Sequence, residues 1–158
     1  MNENVRLEPA ELSDLARLSE IAFAAKAYWQ YPAEWLEMWR PQLTISENDL
    51  ASGTAVKLVA GGGIRGFYLL REDDERLWLE HLWVEPDGIG HGFGRQLFEH
   101  AMTAAKEIGH SSVHIESDPN AEGFYATMGA SKIGESRSDL DGLVRMLPLM
   151  EFKIKEDK

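Results

Sequence analysis

Hydrophobic residues recur at intervals of three and four along two stretches of the chain. The first stretch, residues 11–29, carries Leu12, Leu15, Leu18, Ile21, Ala22 and Ala25, and the second, residues 93–108, carries Phe93, Leu97, Ala101, Ala105 and Ile108. This spacing places apolar side chains on one face of an α-helix. Each stretch therefore predicts an amphipathic helix, and Gly109 stands where a glycine commonly ends one.

Shorter apolar segments with β-branched and aromatic residues are typical of strands. The predicted strands cover the region of Val5 and Leu7 and residues 54–60, 64–71, 77–84, 112–116, 131–137 and 143–150. Turns are predicted at the glycines 61–63, at the acidic residues 72–75 and at 141–142. Two shorter helices are predicted, one at 35–40 that ends before Pro41 and one at 120–128, with a polar linker at 46–53.

Four glycines occupy alternate positions between the strand at 77–84 and the helix that begins near Phe93. They are Gly88, Gly90, Gly92 and Gly94, in the segment V-E-P-D-G-I-G-H-G-F-G-R-Q-L. At a strand-to-helix turn the first helical N–H groups lack backbone partners and carry the positive end of the helix dipole. Because glycine has no Cβ, a ligand can approach this backbone closely. The turn therefore predicts a binding site for a phosphate or pyrophosphate.

The spacing of these glycines excludes two common phosphate-binding motifs. A dinucleotide fingerprint needs glycines at its first, third and sixth positions, but no glycine of this run has another glycine five residues later. A nucleoside-triphosphate loop needs Gly-Lys followed by Ser or Thr, and the chain contains no such triplet.

The pattern that fits is V-x-P-x-x-x-G-x-G-x-G-x-x-L over residues 84–97. It resembles the acyl-CoA-binding signature of the GNAT superfamily of N-acetyltransferases. Residues 117–130, S-D-P-N-A-E-G-F-Y-A-T-M-G-A, look like the second conserved block of that family. The predicted element order, β-α-α-β-β-β-α-β-α-β-β, is also similar to the family's fold. The resemblance implies a single α/β (α+β) domain over residues 1–158, with a mixed, mostly antiparallel sheet of about six to seven strands flanked by about four helices.

The resemblance implies acetyl-CoA as co-substrate and acetyl transfer to a primary amine of a small molecule or peptide. Glu80 is the candidate base: alternation along the strand predicts that it shares a face with Trp78 and Leu82 and that His81 points to the other side. Tyr125, in the second block, is the candidate acid for the departing thiolate. The residues expected to contact the cofactor are Leu82, Trp83, Val84, Ile89, Gly90, His91, Gly92, Phe93, Gly94, Arg95 and Asn120.

A second function remains open, a non-catalytic acyl-CoA-binding or regulatory module of the same fold. Its main support is Ile89, which stands where the family usually has Arg or Gln. The presence of both Glu80 and Tyr125 favours the enzyme, because a module that only binds has no use for an acid and a base.

The amino-acid composition narrows the range of possible binding partners and of cellular compartments. The 158 residues carry a net charge of −11, which disfavours nucleic acid and suits a cationic amine, although an acidic surface alone would look the same. There is no cysteine, no apolar run of bilayer length and no N-terminal signal pattern, so we expect a cytoplasmic protein without membrane association. The spacing of the five histidines predicts no metal site. A monomer and a homodimer are equally compatible with the sequence.

Overall fold

The structure is a computed structural model that describes residues 4–155 of the chain. These residues form seven strands and five α-helices. The strands are β1 (Arg6–Pro9), β2 (Thr54–Ala60), β3 (Gly63–Asp73), β4 (Arg76–Val84), β5 (Ser112–Glu116), β6 (Ser131–Leu140) and β7 (Leu143–Lys153). The helices are α1 (Leu15–Tyr28), α2 (Ala33–Leu43), α3 (Glu47–Ser52), α4 (Phe93–Ile108) and α5 (Glu122–Thr127).

The strands form one sheet in the order β1-β2-β3-β4-β5-β7-β6. All neighbours are antiparallel except β4 and β5, which run parallel and are joined through α4. The tight turns carry the positive φ angles that two-residue hairpins require, for example Gly61 at 63° and Gly62 at 82°. The mixed, mostly antiparallel sheet predicted from the sequence is confirmed.

Two helical layers cover the sheet, one on each face. Helices α4 and α5 pack on one face through a core that includes Tyr68, Leu97 and Tyr125. Helices α1 and α2 pack on the other face around Leu18, Trp39 and Phe67. Because successive strand residues point to opposite faces, the neighbours Phe67 and Tyr68 belong to different cores. None of the helices within residues 4–155 has the length and apolar character needed to cross a bilayer.

Two predictions for the segment after α1 are wrong. The second helix does not stop at Arg40 but continues to Leu43, with Pro41 inside it. Burial of Trp39 and Leu43 outweighs the hydrogen bond that Pro41 cannot donate. The predicted linker is mostly helix α3, which raises the number of helices from about four to five.

A local sequence pattern, Ser46 followed three residues later by Asp49, marks the start of α3. The Ser46 hydroxyl accepts a hydrogen bond from the Asp49 amide at 3.2 Å, and the Asp49 carboxylate accepts one from the Ser46 amide at 2.8 Å. This reciprocal pair is a capping box with Asp in place of Glu. It satisfies two N–H groups and also directs Asp49 toward β3, where Arg71 donates to it.

Candidate active site

The sheet separates at the parallel pair in its centre. Within the described residues β4 and β5 are paired only where Trp78 lies opposite His114. Two cavities flank the part of β4 that follows this pair. One, of about 870 Å³, is lined by Trp78, Leu79, Glu80 and His81, and the other, of about 340 Å³, by Leu82, Trp83 and Val84. After the roles that the resemblance to the GNAT superfamily implies, we name them the acceptor cavity and the cofactor cleft.

A β-bulge at Glu80 determines which side chains of β4 face which layer. Leu69 pairs with His81 and Leu70 pairs with Leu79, so Glu80 is the extra residue of β4. A bulge breaks the two-residue alternation. The prediction that Glu80 shares a face with Leu82 is therefore wrong, because Leu82 packs with the α4 layer. The prediction that His81 points away from Glu80 is also wrong, since both line the acceptor cavity.

The Glu80 carboxylate is partly shielded from solvent and forms one weak ion pair. Its side chain is 35 % exposed, and its Oε2 lies 3.5 Å from Nη1 of Arg71. Burial raises the pKa of Glu80, the Arg71 charge opposes that shift, and the nearby Asp49 and Asp73 reinforce it. Arg71 is shared, because its other terminal nitrogen donates to Asp49. Glu80 can therefore hold a proton more readily than an ordinary surface carboxylate.

Tyr125 belongs to the cofactor cleft rather than to the acceptor cavity. Its ring packs against Phe98 and Phe124, and burial raises the pKa of the phenol well above its usual value. Within residues 4–155 the hydroxyl has no hydrogen-bond partner, yet it is not among the fully buried unpartnered atoms. The hydroxyl therefore opens onto accessible space, and the cavity that Tyr125 lines is the cofactor cleft. A neutral O–H donor stands at the wall of this cleft.

The glycine turn presents a row of unused backbone donors. The first hydrogen bond at the start of α4 runs from the Gln96 amide to the Gly92 carbonyl at 3.1 Å. In the described chain the amides of residues 90–95 donate no backbone hydrogen bond. Gly90 and Gly92 have φ angles of 92° and 77°, and a Cβ added at either one would meet no atom within 4 Å. The turn is thus an open stretch of backbone with free N–H groups at a helix start.

Ile89 differs from the neighbouring residues of the turn. Its amide already donates to the Pro86 carbonyl at 3.2 Å, in a 3-10 turn that precedes the glycines. The expectation that the Ile89 amide contributes to a phosphate cradle is therefore corrected to residues 90–95. The Ile89 side chain, 51 % exposed, instead lines the cofactor cleft, where it offers an apolar contact.

Long-range ion pairs hold the turn against the rest of the domain. Glu85, the residue after β4, accepts hydrogen bonds from Arg17 of α1 and Arg65 of β3. Arg65 also donates to the Asp87 carbonyl at 3.3 Å. At the other end of the turn, a Cβ on Gly94 would lie 3.3 Å from the Phe124 ring. Gly94 therefore permits the close approach of α4 and α5, which bears Tyr125.

A buried ionic network beside the cofactor cleft was not predicted from the sequence. Its centre is Asp118, 5 % exposed, which binds Lys26 at 2.6 Å and the Tyr31 hydroxyl at 2.9 Å. Arg145 of β7 donates to the Tyr31 hydroxyl at 2.7 Å. The neighbouring cations and hydrogen bonds lower the pKa of Asp118 although burial opposes this, and the pKa of Tyr31 rises to about 12, mainly through burial. Asp118 lies 92 positions after Lys26 and 87 positions after Tyr31, so no local sequence pattern indicates this network.

Asn120 connects this network to the cofactor cleft. Its side-chain amide donates to the Tyr31 hydroxyl and to Asp118, each at 3.0 Å. Both of its amide hydrogens thus point into the network. Asn120 nevertheless lines the cofactor cleft, so a ligand there would meet the outer surface of the residue. Its expected contact with the cofactor arm stays a prediction.

A family model supplies the decisive comparison. The model described as the acetyltransferase (GNAT) family matches residues 15–130, well over half of the chain. This chain belongs to the GNAT family. The resemblance to the GNAT superfamily is confirmed, and so is the expectation of an acyltransferase.

Two curated relatives of this GNAT chain are peptidyl-lysine N-acetyltransferases named YjaB. The protein from Salmonella typhimurium is 36% identical over 87 residues, which cover 55% of this chain and 54% of the relative. The Escherichia coli protein is 38% identical over 74 residues, or 47% and 48% of the two chains. This chain therefore spans about half the length of the curated relatives that it matches.

Solved structures share the fold over almost the whole length. A GCN5-related N-acetyltransferase from Rhodopseudomonas palustris superposes with a TM-score of 0.81, covering 97% of this chain and 98% of that one at 21% identity. The PaiA N-acetyltransferase of Thermoplasma acidophilum, solved in complex with coenzyme A, has a TM-score of 0.74 at 19% identity, with coverages of 95% and 99%. At such identities the likeness establishes the GNAT fold alone.

Proposed function

We propose that this protein is an N-acetyltransferase that moves an acetyl group directly from acetyl-CoA to a primary amine. The observation that carries the proposal is the pair of cavities along β4. A carboxylate with a raised pKa lines one of them, and a neutral phenol lines the other. Direct transfer needs a base for the amine and an acid for the thiolate on opposite sides of the reacting thioester.

The cofactor cleft and the glycine turn, which reaches the cleft through Ile89 and Gly94, fit acetyl-CoA. The free amides of residues 90–95 suit a pyrophosphate, because they combine N–H donors with the positive end of the α4 dipole. The apolar walls at Leu82, Val84 and Ala121 suit the pantetheine arm. When bound there, the co-substrate supplies an activated acetyl thioester. The curated relatives named as acetyltransferases further support this assignment.

Glu80 would act on the amine. Most free amines are protonated at neutral pH, and only the neutral form attacks a thioester. A carboxylate whose pKa is raised accepts this proton, directly or through water, more readily than an ordinary one. The other carboxylates of the cavity, Asp49, Asp73 and Glu116, favour entry of a cationic amine.

Tyr125 would protonate the departing sulfur. Its raised pKa keeps the phenol in the O–H form at neutral pH, and its hydroxyl has no competing partner among residues 4–155. As negative charge develops on sulfur, the hydroxyl can donate a hydrogen bond and then its proton. Glu80 and Tyr125 are therefore proposed as the base and the acid.

The acceptor is proposed to be a cationic primary amine of a small molecule or a peptide. The relatives named peptidyl-lysine N-acetyltransferases favour a lysine side chain. The test mixes the protein and acetyl-CoA with spermidine, cadaverine, lysinamide and a lysine-containing peptide, and it follows release of the CoA thiol. Mass spectrometry of the products then identifies the acetylated nitrogen. Thiol release without an acetylated product would indicate hydrolysis and contradict the proposed transfer.

The exposed Ile89 favours a second candidate, a non-catalytic acyl-CoA-binding module. In that case calorimetry would detect binding of acetyl-CoA, but no amine would accelerate thiol release. Amine-dependent thiol release by wild type that is lost in Glu80→Gln would identify the enzyme, whereas a module would show no such release in either protein.

A further inference from the structure

His81 lines the acceptor cavity next to the proposed base and has no assigned role. Its Nδ1 lies 2.9 Å from the indole nitrogen of Trp83, two residues further along β4. Indole nitrogen is a donor only, so Nδ1 must be the acceptor of this hydrogen bond. The proton of the neutral imidazole is therefore on Nε2. Trp83 itself lines the cofactor cleft, so the pair connects the two cavities.

The Nε2 of His81 is available to a ligand. Among the described residues the fully buried polar side-chain atoms without partners are Arg71 Nε and His114 Nδ1. His81 Nε2 is not one of them, and no side chain within residues 4–155 bonds to it. It therefore reaches accessible space, and the cavity lined by His81 is the acceptor cavity.

The imidazole also stays neutral at physiological pH. Burial lowers the pKa of His81 to about 4, with the Asp49 charge opposing the shift and the Arg71 charge adding to it. A neutral ring with its proton on Nε2 is a hydrogen-bond donor toward the cavity. It cannot accept a proton from the amine through Nε2, so the role of base stays with the proposed Glu80.

We propose that His81 selects the acceptor by donating a hydrogen bond from Nε2 to an oxygen of the amine substrate. The preferred substrate class is an amine that carries a carbonyl group, such as an amino amide or a peptide, rather than a bare alkyl diamine. Carboxylates attract any cation, but they do not distinguish these two classes, because both carry ammonium groups. A neutral hydrogen-bond donor does distinguish the two classes, because only the amino amide or peptide has a carbonyl oxygen that can accept its hydrogen bond. The inference rests on the proposed acetyl transfer.

The test compares lysinamide with cadaverine, which has the same two amines but no carboxamide. One hydrogen bond at a partly accessible site changes kcat/KM by up to about tenfold. We expect wild type to prefer lysinamide by about that factor and His81→Phe to reduce the preference to less than about twofold. His81→Gln should restore part of it, because the Gln side chain carries an amide oxygen for Trp83 and an N–H group for the substrate. Equal losses for both amines in His81→Phe would overturn the proposal.

A spectroscopic measurement tests the tautomer without any turnover. Nitrogen chemical shifts of the imidazole rings, with the His81 signals assigned by their loss in His81→Gln, should show a protonated Nε2 and an unprotonated Nδ1 at neutral pH. In Trp83→Phe the ring should populate both tautomers. A wild-type ring protonated on Nδ1 would overturn the proposal.

Lysinamide added to the protein with CoA should shift the His81 Nε2 signal, whereas cadaverine should shift it less. If neither amine is acetylated, the proposed function has failed for these probes. An unchanged Nε2 signal in that case would also overturn the role of His81. A shifted signal would support the donor even without transfer.

Discussion

Two carboxylates, one on β4 and one just after β5, have opposite environments. Asp118 is almost fully buried, accepts hydrogen bonds from Lys26, Tyr31 and Asn120, and has a lowered pKa. Glu80 is one-third exposed, has a single ion pair at 3.5 Å and has a raised pKa. The first carboxylate is held in its charged form by its partners, while the second can exchange a proton. The same functional group is thus fixed as an anion in one place and suited to the proposed proton transfer in the other, and the environment decides which.

The largest expected effect is that of Glu80→Gln on turnover. Gln cannot accept the amine proton, so kcat should fall roughly 10²–10⁴-fold while the affinity for acetyl-CoA and the unfolding free energy stay close to those of wild type. Stopped-flow thiol release and calorimetry measure these quantities. Glu116→Gln is the matched control, since it makes the same change at another carboxylate of the cavity, one that binds Ser136 at 3.0 Å. Equal losses in both variants would assign the effect to the charge of the cavity.

Asp118→Asn should show the opposite pattern, with a loss of stability. Removing one partner of a buried ion pair leaves Lys26 uncompensated and costs about 3–5 kcal/mol of unfolding free energy. Urea unfolding measures this, with Asp139→Asn, at an exposed site of β6, as control. Because the folded pKa of Asp118 is lowered, its stabilisation is present above the usual Asp pKa and is lost as pH falls through the folded pKa. A stable but inactive Asp118→Asn protein would place Asp118 in the chemistry instead.

Tyr125→Phe tests the proposed acid in the cofactor cleft. Loss of the hydroxyl should lower kcat by roughly 10²-fold, at the low end for a positioned acid, with little change in melting temperature because the ring volume is kept. Tyr68→Phe is the control, because Tyr68 is another buried tyrosine whose hydroxyl bonds to His100 at 2.7 Å. That control should lose stability rather than rate. A Tyr125→Phe protein with normal turnover would shift the proton donation to solvent.

Gly92→Asp tests the glycine turn as the proposed pyrophosphate site and leaves Glu80 and Asp118 unchanged. It adds a negative charge to the free amides of the turn and a Cβ to a residue with a φ of 77°, so the affinity for acetyl-CoA should fall at least about tenfold, or about 1.4 kcal/mol. Gly62→Asp provides the same chemistry at a φ of 82° in the β2–β3 turn. Calorimetry should show a loss only in the first variant. Unchanged affinity there would remove the pyrophosphate from this turn.

The pH profile gives the most specific effect, and close to the pKa of Glu80 it is also the smallest. Since the pKa of Glu80 is raised, kcat/KM should begin to fall at a pH above the usual Glu value and then decrease about tenfold for each further unit of acidification. This decrease in kcat/KM should occur at the same pH for acceptors of different pKa, and it should be absent in Glu80→Gln. A decrease whose position on the pH axis shifts with the pKa of the acceptor would reflect titration of the amine rather than of Glu80.

Local patterns in the sequence determined most of the architecture. The helical spacing of apolar residues identified α1 and α4, and alternating glycines before α4 identified the turn that leaves the amides of residues 90–95 free. These features could be predicted because each depends on residues within a few positions of one another. Pro41 shows the limit of such rules, because packing carries α2 past it, whereas the capping box at Ser46 is a local signal that marks the start of α3.

Only the tertiary structure decided which side chains meet at the site. The bulge at Glu80 depends on how β4 pairs with β3, so periodicity within β4 could not place His81 beside Glu80 or separate Glu80 from Leu82. The network around Asp118 joins α1, the loop after β5 and strand β7, whose proximity follows from the sheet order. The pKa values of Glu80, His81 and Tyr125 likewise follow from burial and neighbouring charges, which arise when distant segments pack together.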